Sequence, residues 1–364
     1  MRKYLERLTQ SLGKFNHIAL SHADYIKTQD ELDFLLSRPS AQLLESIRNF
    51  SSPLVIVGAG GKLGPTLALM ARRAADMAGC ALEVIAISRF KTTAPVRAWL
   101  EQRSITTLSC DLLRTDSMRQ LPDSENVIYL AGQKFGTDKS PAATWAVNVM
   151  APARVAERYS RARLVALSTG NVYALSEVSK GGSVESDPLT PLGEYANSTV
   201  GRERILEFFS LRDGMPLTLL RLCYAVELRY GVLLDIAQKV HGGKLIDLAN
   251  GYFNCIWQGD ANDLILRSLA LANCPPTIWN LCRPEVFSVR SVAAQFGELL
   301  GRAPRFTGTE NPNALLCNSR PLCEKLGEPS TPLAPMLNWI ADWVRRDGCT
   351  WGKPTGFEVR DGKY

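Results

Sequence analysis

The chain has 364 residues, 46% of them hydrophobic and 21% charged, which is enough apolar material for a sizeable core and excludes wholesale disorder. Lys and Arg exceed Asp and Glu by 42 to 36, a net charge of +6 spread along the sequence rather than gathered into a basic stripe, so a nucleic-acid partner is not expected. No apolar run approaches the roughly 18 uncharged residues that a membrane span requires.

Residues 1–50 read as a helical N-terminal extension. Leu32, Leu35 and Leu36, then Leu43, Leu44 and Ile47, recur at three-and-four spacing, with Pro39 and Ser40 breaking and recapping the run. Glu6 and Arg7 stand where a secretory signal would need its apolar stretch, so a cytoplasmic protein is expected. From Pro53 the pattern changes to short apolar runs at Leu54–Val57, Leu82–Ile87, Ile105–Leu108, Val127–Leu130, Leu164–Leu167 and Leu217–Leu220. Helix-like stretches at 65–78, 142–160 and 196–212 lie between them. Runs this short and continuous suit strands buried on both faces, so 51–222 is expected to be an α/β domain with a doubly wound parallel sheet of Rossmann type. After residue 222 a helix (260–272), a strand (277–281) and a helix (288–300) rejoin that sheet. Pro- and Gly-rich stretches fill 301–335 and the tail from Gly348. Residues 223–364 therefore read as a smaller, irregular substrate lobe interleaved with the last sheet elements.

The strongest local signal is VIVGAGGKLGPTLALMARRA, residues 55–74, where Gly58, Gly61 and Gly64 follow a strand and open a helix. Without Cβ atoms these positions permit a tight turn and let a phosphate approach the positive end of the helix, beside Lys62 and Leu63. The second strand ends in Ser88 and Arg89, followed by Lys91, with no acid in place to accept from a ribose. A hydroxyl followed by a guanidinium suits a 2′-phosphate, so the cofactor is read as NADP, with NAD as the alternative.

Taken in order, these motifs resemble the extended short-chain dehydrogenase/reductases, in particular the NAD-dependent epimerase/dehydratase branch, from about Leu54 to Leu300. By that resemblance GAGGKLG is the phosphate loop and Asp111-Leu112 holds the adenine ring. Ala131, Gly132 and Lys134 of YLAGQK lie along the pyrophosphate and the nicotinamide ribose, and Asn148 is the family's structural asparagine. LSTGNVY, residues 167–173, implies Ser168 at the cofactor and Thr169 as the catalytic hydroxyl, and GEYANST, residues 193–199, implies Tyr195 as the catalytic acid/base. The lysine that the family carries four residues after this tyrosine is Thr199 here. A phenol of ordinary acidity is almost wholly protonated near neutral pH, so a missing cation weakens base chemistry. The positive oxidised nicotinamide, Lys134 and, farthest along the helix axis at about 10 Å, Arg202 are the three sources of compensation. Asn171, Tyr224 and Arg229 are the substrate-side candidates, Arg229 as a partner for a carboxylate or phosphate.

Three histidines (His17, His22 and His241) lack metal-ligand spacing, so no metal is expected, and neither is a Ser-His-Asp triad. Nine cysteines without a CxxC pair read as reduced thiols. The resemblance implies hydride transfer at a carbinol carbon of a sugar, sugar acid or nucleotide-sugar, by an oxidoreductase, epimerase or dehydratase. The alternative, carried by Thr199, is a weakened dinucleotide-binding sensor or regulatory protein. A homodimer is the expected assembly, through Ile205, Leu206 and Phe209 on the helix after Tyr195.

Overall fold

The computed structural model describes residues 25–363 apart from Thr92 and Pro354, so the expected helical reading of residues 1–24, His17 and His22 included, lies outside the described residues. Helix α1 (Gln29–Leu36) opens on a reciprocal cap: Thr28 Oγ1 accepts from Glu31 N at 3.1 Å while the Glu31 carboxylate accepts from Thr28 N. Pro39 stops the run, and Ser40 caps α2 (Ala41–Ser46) through Leu43 N at 3.0 Å.

Among the described residues, seven parallel strands form one sheet: β1 (Leu54–Val57), β2 (Val84–Ser88), β3 (Thr106–Ser109), β4 (Asn126–Tyr129), β5 (Arg163–Thr169), β6 (Leu217–Leu222) and β7 (Thr277–Leu281). Their order is β7-β6-β5-β4-β1-β2-β3, so the chain reverses direction across the sheet between β1 and β4. The main crossovers are α3 (Gly64–Ala78), α4 (Ala94–Glu101), α5 (Ala151–Arg158), α6 (Gly193–Asp213) and, beyond β6, α8 (Gln258–Arg267). β1 shows why its sequence is unbroken apolar. Leu54 and Ile56 enter the core under α3 and α8, Val55 and Val57 the core under α5 and α6, and none of the four is exposed. Period-two alternation with both faces covered is the doubly wound sheet expected from the runs. Each such side chain contributes roughly 1.5–3 kcal/mol on burial.

β5 and β6 run past their continuous apolar stretches. Ser168 and Thr169 pair with Arg221 and Leu222, because the hydrogen-bond ladder continues where the hydrophobic pattern stops. The second lobe is also less irregular than the Pro and Gly content suggests. α7 (Val232–His241), α9 (Val289–Leu300) and α10 (Leu333–Arg345) share a core with α1, centred on Trp257, whose ring lies 5.3 Å from that of Trp339.

Two sequence expectations are corrected. Leu206 and Phe209 are buried against the sheet and Ile205 packs beside them, so this stripe covers the body of the protein rather than offering a partner surface. The exposed apolar residues of α6 are Phe208 and Leu211. Nor are all cysteines free. Cys223, just past β6, and Cys317 are joined across 94 residues, over Gly170, where a Cβ would stand 2.5 Å from the Cys223 sulfur. No described helix is long and apolar enough to cross a membrane, and no described cluster of His, Cys, Asp and Glu could hold a metal ion.

Candidate active site

The C-terminal ends of the strands open into a cavity of about 960 Å3 between the sheet and the second lobe. An open α/β sheet places its ligands there, at the reversal of strand order. The phosphate loop forms one wall. Gly58 has a φ of +86°, and a Cβ on it would lie 2.5 Å from Ala131 N, so the loop after β1 can pack on the loop after β4 only as glycine. Gly61 N donates to Gly58 O at 3.1 Å and tightens the turn. Leu63 occupies the N-cap position of α3, Gly64 its first residue and Pro65, which has no N–H, its second; no side chain caps this helix, which leaves its remaining N-terminal N–H groups available to a ligand oxygen. A cradle of this kind fits the pyrophosphate of a dinucleotide.

Lys62 departs from the loop and crosses the cleft. Its Nζ donates to Ala225 O in the second lobe and sits 4.6 Å from the Tyr230 ring centroid. Burial lowers its pKa to about 8. Lys134 follows from the loop after β4 and donates to Thr355 O at 3.2 Å, and burial lowers it to about 8 as well.

At the far end of the sheet Ser88 packs against Gly60, where a Cβ would meet its hydroxyl at 2.6 Å. Arg89, Lys91, Arg114 and Asp111 line a separate hollow of about 390 Å3. Asp111 turns its carboxylate to Leu113 N at 3.1 Å, and Leu112 packs into the sheet core.

The centre of the cleft brings together Thr169 at the end of β5 and Tyr195 in the first turn of α6. A side-chain hydrogen bond joins Tyr195 to Thr169, whose Oγ1 donates its proton to Asn171 Oδ1 at 3.0 Å. Burial raises the Tyr195 pKa, opposed first by the Thr169 hydrogen bond and then by the charge of Arg202. A phenol, a hydroxyl and a carboxamide in series can hold a substrate oxygen and pass a proton to or from it. Thr199 does not join them, since its Oγ1 donates back to Tyr195 O at 2.8 Å within the helix.

Asn148 and Ser168 stand behind this centre. Asn148 lies in a π-helical turn, Ala146–Met150, and clamps the loop after β4. Its Oδ1 accepts from Gln133 N at 2.8 Å and its Nδ2 donates to Gln133 O at 3.0 Å and to Ser198 Oγ at 2.9 Å. Such turns frequently mark functional sites. Ser168 Oγ donates to Glu203, which is itself 2.7 Å from Arg221 in a fully buried pair.

On the substrate side Tyr224 lines the cavity. The guanidinium of Arg229 is taken up by Glu227 at 3.1 Å and Asp33 at 3.0 Å, so its charge is balanced within the protein. Sequence reasoning did not find the outer wall. Trp351 stacks on Tyr230 (5.6 Å, 26°), and Thr355 donates to Asp235 through N at 2.9 Å and Oγ1 at 2.6 Å, which sets the tail across the cleft mouth opposite α1. An isolated tryptophan in a glycine-rich tail was the available signal for the tail, and Asp33 had none.

The sequence model of the "NAD dependent epimerase/dehydratase family" matches residues 54–244, more than half of the chain. No curated protein matches. Among solved structures, UDP-glucuronic acid 4-epimerase from Bacillus cereus, in complex with UDP-glucuronic acid and NAD, is similar at 17% identity and a TM-score of 0.66, over 81% of this chain and 99% of that one. UDP-glucose 4-epimerase from Thermus thermophilus, complexed with NAD, gives 18%, 0.65, 80% and 99%. The Thermotoga maritima UDP-glucose 4-epimerase with UDP-glucose gives 16%, 0.65, 81% and 99%. At these identities the likeness is one of fold, and about a fifth of this chain lies outside it.

Proposed function

Because the chain belongs to the NAD dependent epimerase/dehydratase family, we propose that it is a nicotinamide-dependent enzyme acting at a carbinol carbon of a nucleotide-sugar, sugar or sugar acid. The observation that carries this reading is the hydrogen-bonded pair Thr169–Tyr195 in a cleft that also contains the uncapped phosphate loop. Gly58, Gly61 and the N-terminus of α3 would hold the pyrophosphate, with Ala131 and Gly132 beside it. A nicotinamide bound there supplies the acceptor or donor of hydride. Thr169 holds the substrate oxygen, and Tyr195 takes its proton on oxidation and returns it on reduction. Asn171 orients the Thr169 hydroxyl, and Asn148 keeps the loop after β4 in register with α6.

NADP is the favoured cofactor, because Arg89, Lys91 and Arg114 converge on one hollow beside Ser88, at the end of the strand that carries the adenosine ribose in such folds. Two of the similar solved structures, the Bacillus cereus and Thermus thermophilus epimerases, are NAD complexes, so the choice is tested directly.

The test is a titration of the purified protein with NADPH and NADH, followed by nicotinamide fluorescence, and then a turnover screen with UDP-sugars, free sugars and sugar acids. Binding of either nucleotide with turnover of one of these substrates is the expected result. A protein that neither binds them nor carries nucleotide from purification overturns it. Binding without turnover would favour the sensor reading, which rests on Thr199.

A further inference from the structure

Arg202 is a buried guanidinium that no carboxylate among the described residues pairs with. It is 5% exposed, and its hydrogen bonds go to neutral acceptors alone: Leu167 O at 2.8 Å, Asn148 Oδ1 at 2.9 Å and Asn148 O at 3.4 Å. The other buried arginines of this region are balanced, Arg221 by Glu203 and Arg229 by Glu227 and Asp33. Removing a charge from water costs several kcal/mol per ion unless something repays it. A guanidinium held by neutral groups at the wall of a cleft therefore has a positive charge available to whatever develops negative charge beside it.

The helix determines what that is. Seven residues make almost two full turns, so Arg202 shares a face with Tyr195 and Thr199. Its Cα lies about 10 Å along the axis from that of Tyr195, but helical side chains lean toward the N-terminus, and arginine is long enough to come back over most of that span. Both side chains line the cleft together with Thr169. The loop after β4 makes room for it. A Cβ on Gly132 would stand 2.5 Å from Arg202 Nη2, and moving the guanidinium away would break its anchors. Of the other cations that line the cleft, Lys62 donates to Ala225 O, Lys134 donates to Thr355 O, and Arg229 is paired with Glu227 and Asp33.

We propose that Arg202 supplies the positive charge that Thr199 lacks, steadying the anionic form of the Tyr195 phenol from one turn further along α6. The proposal deepens the reading of the same site given above and rests on it for the role of Tyr195. Arg202 is a positioning residue in this scheme. Asn148 and Leu167 O fix its guanidinium, and the guanidinium biases where the tyrosine proton resides. The charge on Arg202, one of the influences that oppose the burial of Tyr195, agrees with this.

The test is an ultraviolet difference titration of tyrosinate in the nucleotide-free full-length protein. Each variant is measured against its own Tyr195→Phe counterpart, so that Tyr195 alone is read. Arg202→Gln keeps a donor toward Asn148 and removes the charge, and it is expected to raise the Tyr195 midpoint by about one unit or more. Arg202→Lys is expected to leave it near the wild-type value, and adding Thr199→Lys to Arg202→Gln to bring it back down. An Arg202→Gln protein that melts like the wild type and titrates with it overturns the proposal. If Arg202→Gln does not fold, the double variant decides: a midpoint near wild type supports the proposal and a raised one overturns it. Because no nucleotide is present, a failure of the nicotinamide reading shows in the fluorescence titration and leaves this result separate.

Discussion

The guanidinium of Arg229 stands 3.0 Å from the carboxylate of Asp33, and this contact joins the helix that precedes the sheet to the lobe beyond the cleft. Glu227, wholly buried, holds the same guanidinium from the other side at 3.1 Å, and the Arg229 carbonyl accepts from Trp351 N at 3.1 Å. One residue thus fastens both segments that flank the cavity. Arg229→Met removes the guanidinium that both carboxylates share and leaves Glu227 and Asp33 only the more distant charges of Lys62 and Arg103. A loss of about 3–5 kcal/mol is expected in urea unfolding, the range for removing one member of a buried pair. A loss below about 1 kcal/mol would mean that the pair is solvated and that Arg229 is free to meet a substrate anion.

Cofactor choice rests on a small group of side chains. Arg89→Ala removes the exposed guanidinium from the hollow shared with Lys91 and Arg114. NADPH affinity is expected to drop about tenfold, the equivalent of one charge-assisted contact, with NADH affinity almost unchanged. Equal losses for both nucleotides would place Arg89 against the adenine or the shared ribose instead.

Two of the cleft lysines, Lys62 and Lys134, make binding and folding respond to pH in opposite directions. Lys62 and Lys134 lose their protons near pH 8 in the folded chain, against about 10.4 for free lysine. Below pH 8 both are charged and attract a phosphate, so NADPH affinity is expected to decline as pH rises through 8. Lys62→Gln should flatten that decline. The ligand-free fold behaves the other way. Between pH 8 and about 10.4 the unfolded chain holds more protons than the native one, so these two groups make stability rise across that window. Parallel titrations of binding and of urea midpoints check both signs, and an affinity that is flat from pH 7 to pH 9 would remove the lysines from the anion site.

The tail is part of the cleft rather than an appendage. Phe357 is 2% exposed in the second-lobe core, Arg360 reaches Asn313 O at 2.9 Å, and Thr355 ties Asp235 to Lys134. Ending the chain after Gly348 is expected to preserve the far-ultraviolet circular dichroism of the sheet and helices. It should lower the urea midpoint and weaken nucleotide binding at least about tenfold. Phe357→Ala, at about 3–5 kcal/mol, separates the cost of lost packing from that of the lost wall.

Much of the sheet was readable because its strands are covered on both faces, which forces continuous apolar runs such as Leu54–Val57. The Thr169–Tyr195 pair was readable as two halves of one local motif. What escaped depended on distance in space. Arg202 looked too far along its helix because axial rise was counted and side-chain lean was not. Arg229 looked like an anion receptor because Asp33, which meets it, is almost two hundred residues earlier in the chain. The Cys223–Cys317 contact depends on Gly170 beneath it, and no spacing rule encodes that coincidence.

The order in which these walls are made has a consequence for biosynthesis. The phosphate loop at Gly58–Gly64 leaves the ribosome ahead of the rest of the sheet, which can begin to assemble around it, since domains generally start folding from the N-terminal side during synthesis. The facing wall, which includes Trp351 and Thr355, is translated almost three hundred residues later. A nascent chain therefore builds a nucleotide cradle well before it can enclose anything in it. A product cut short before Trp351 would keep the recognisable fold while its binding cavity stood open on one side.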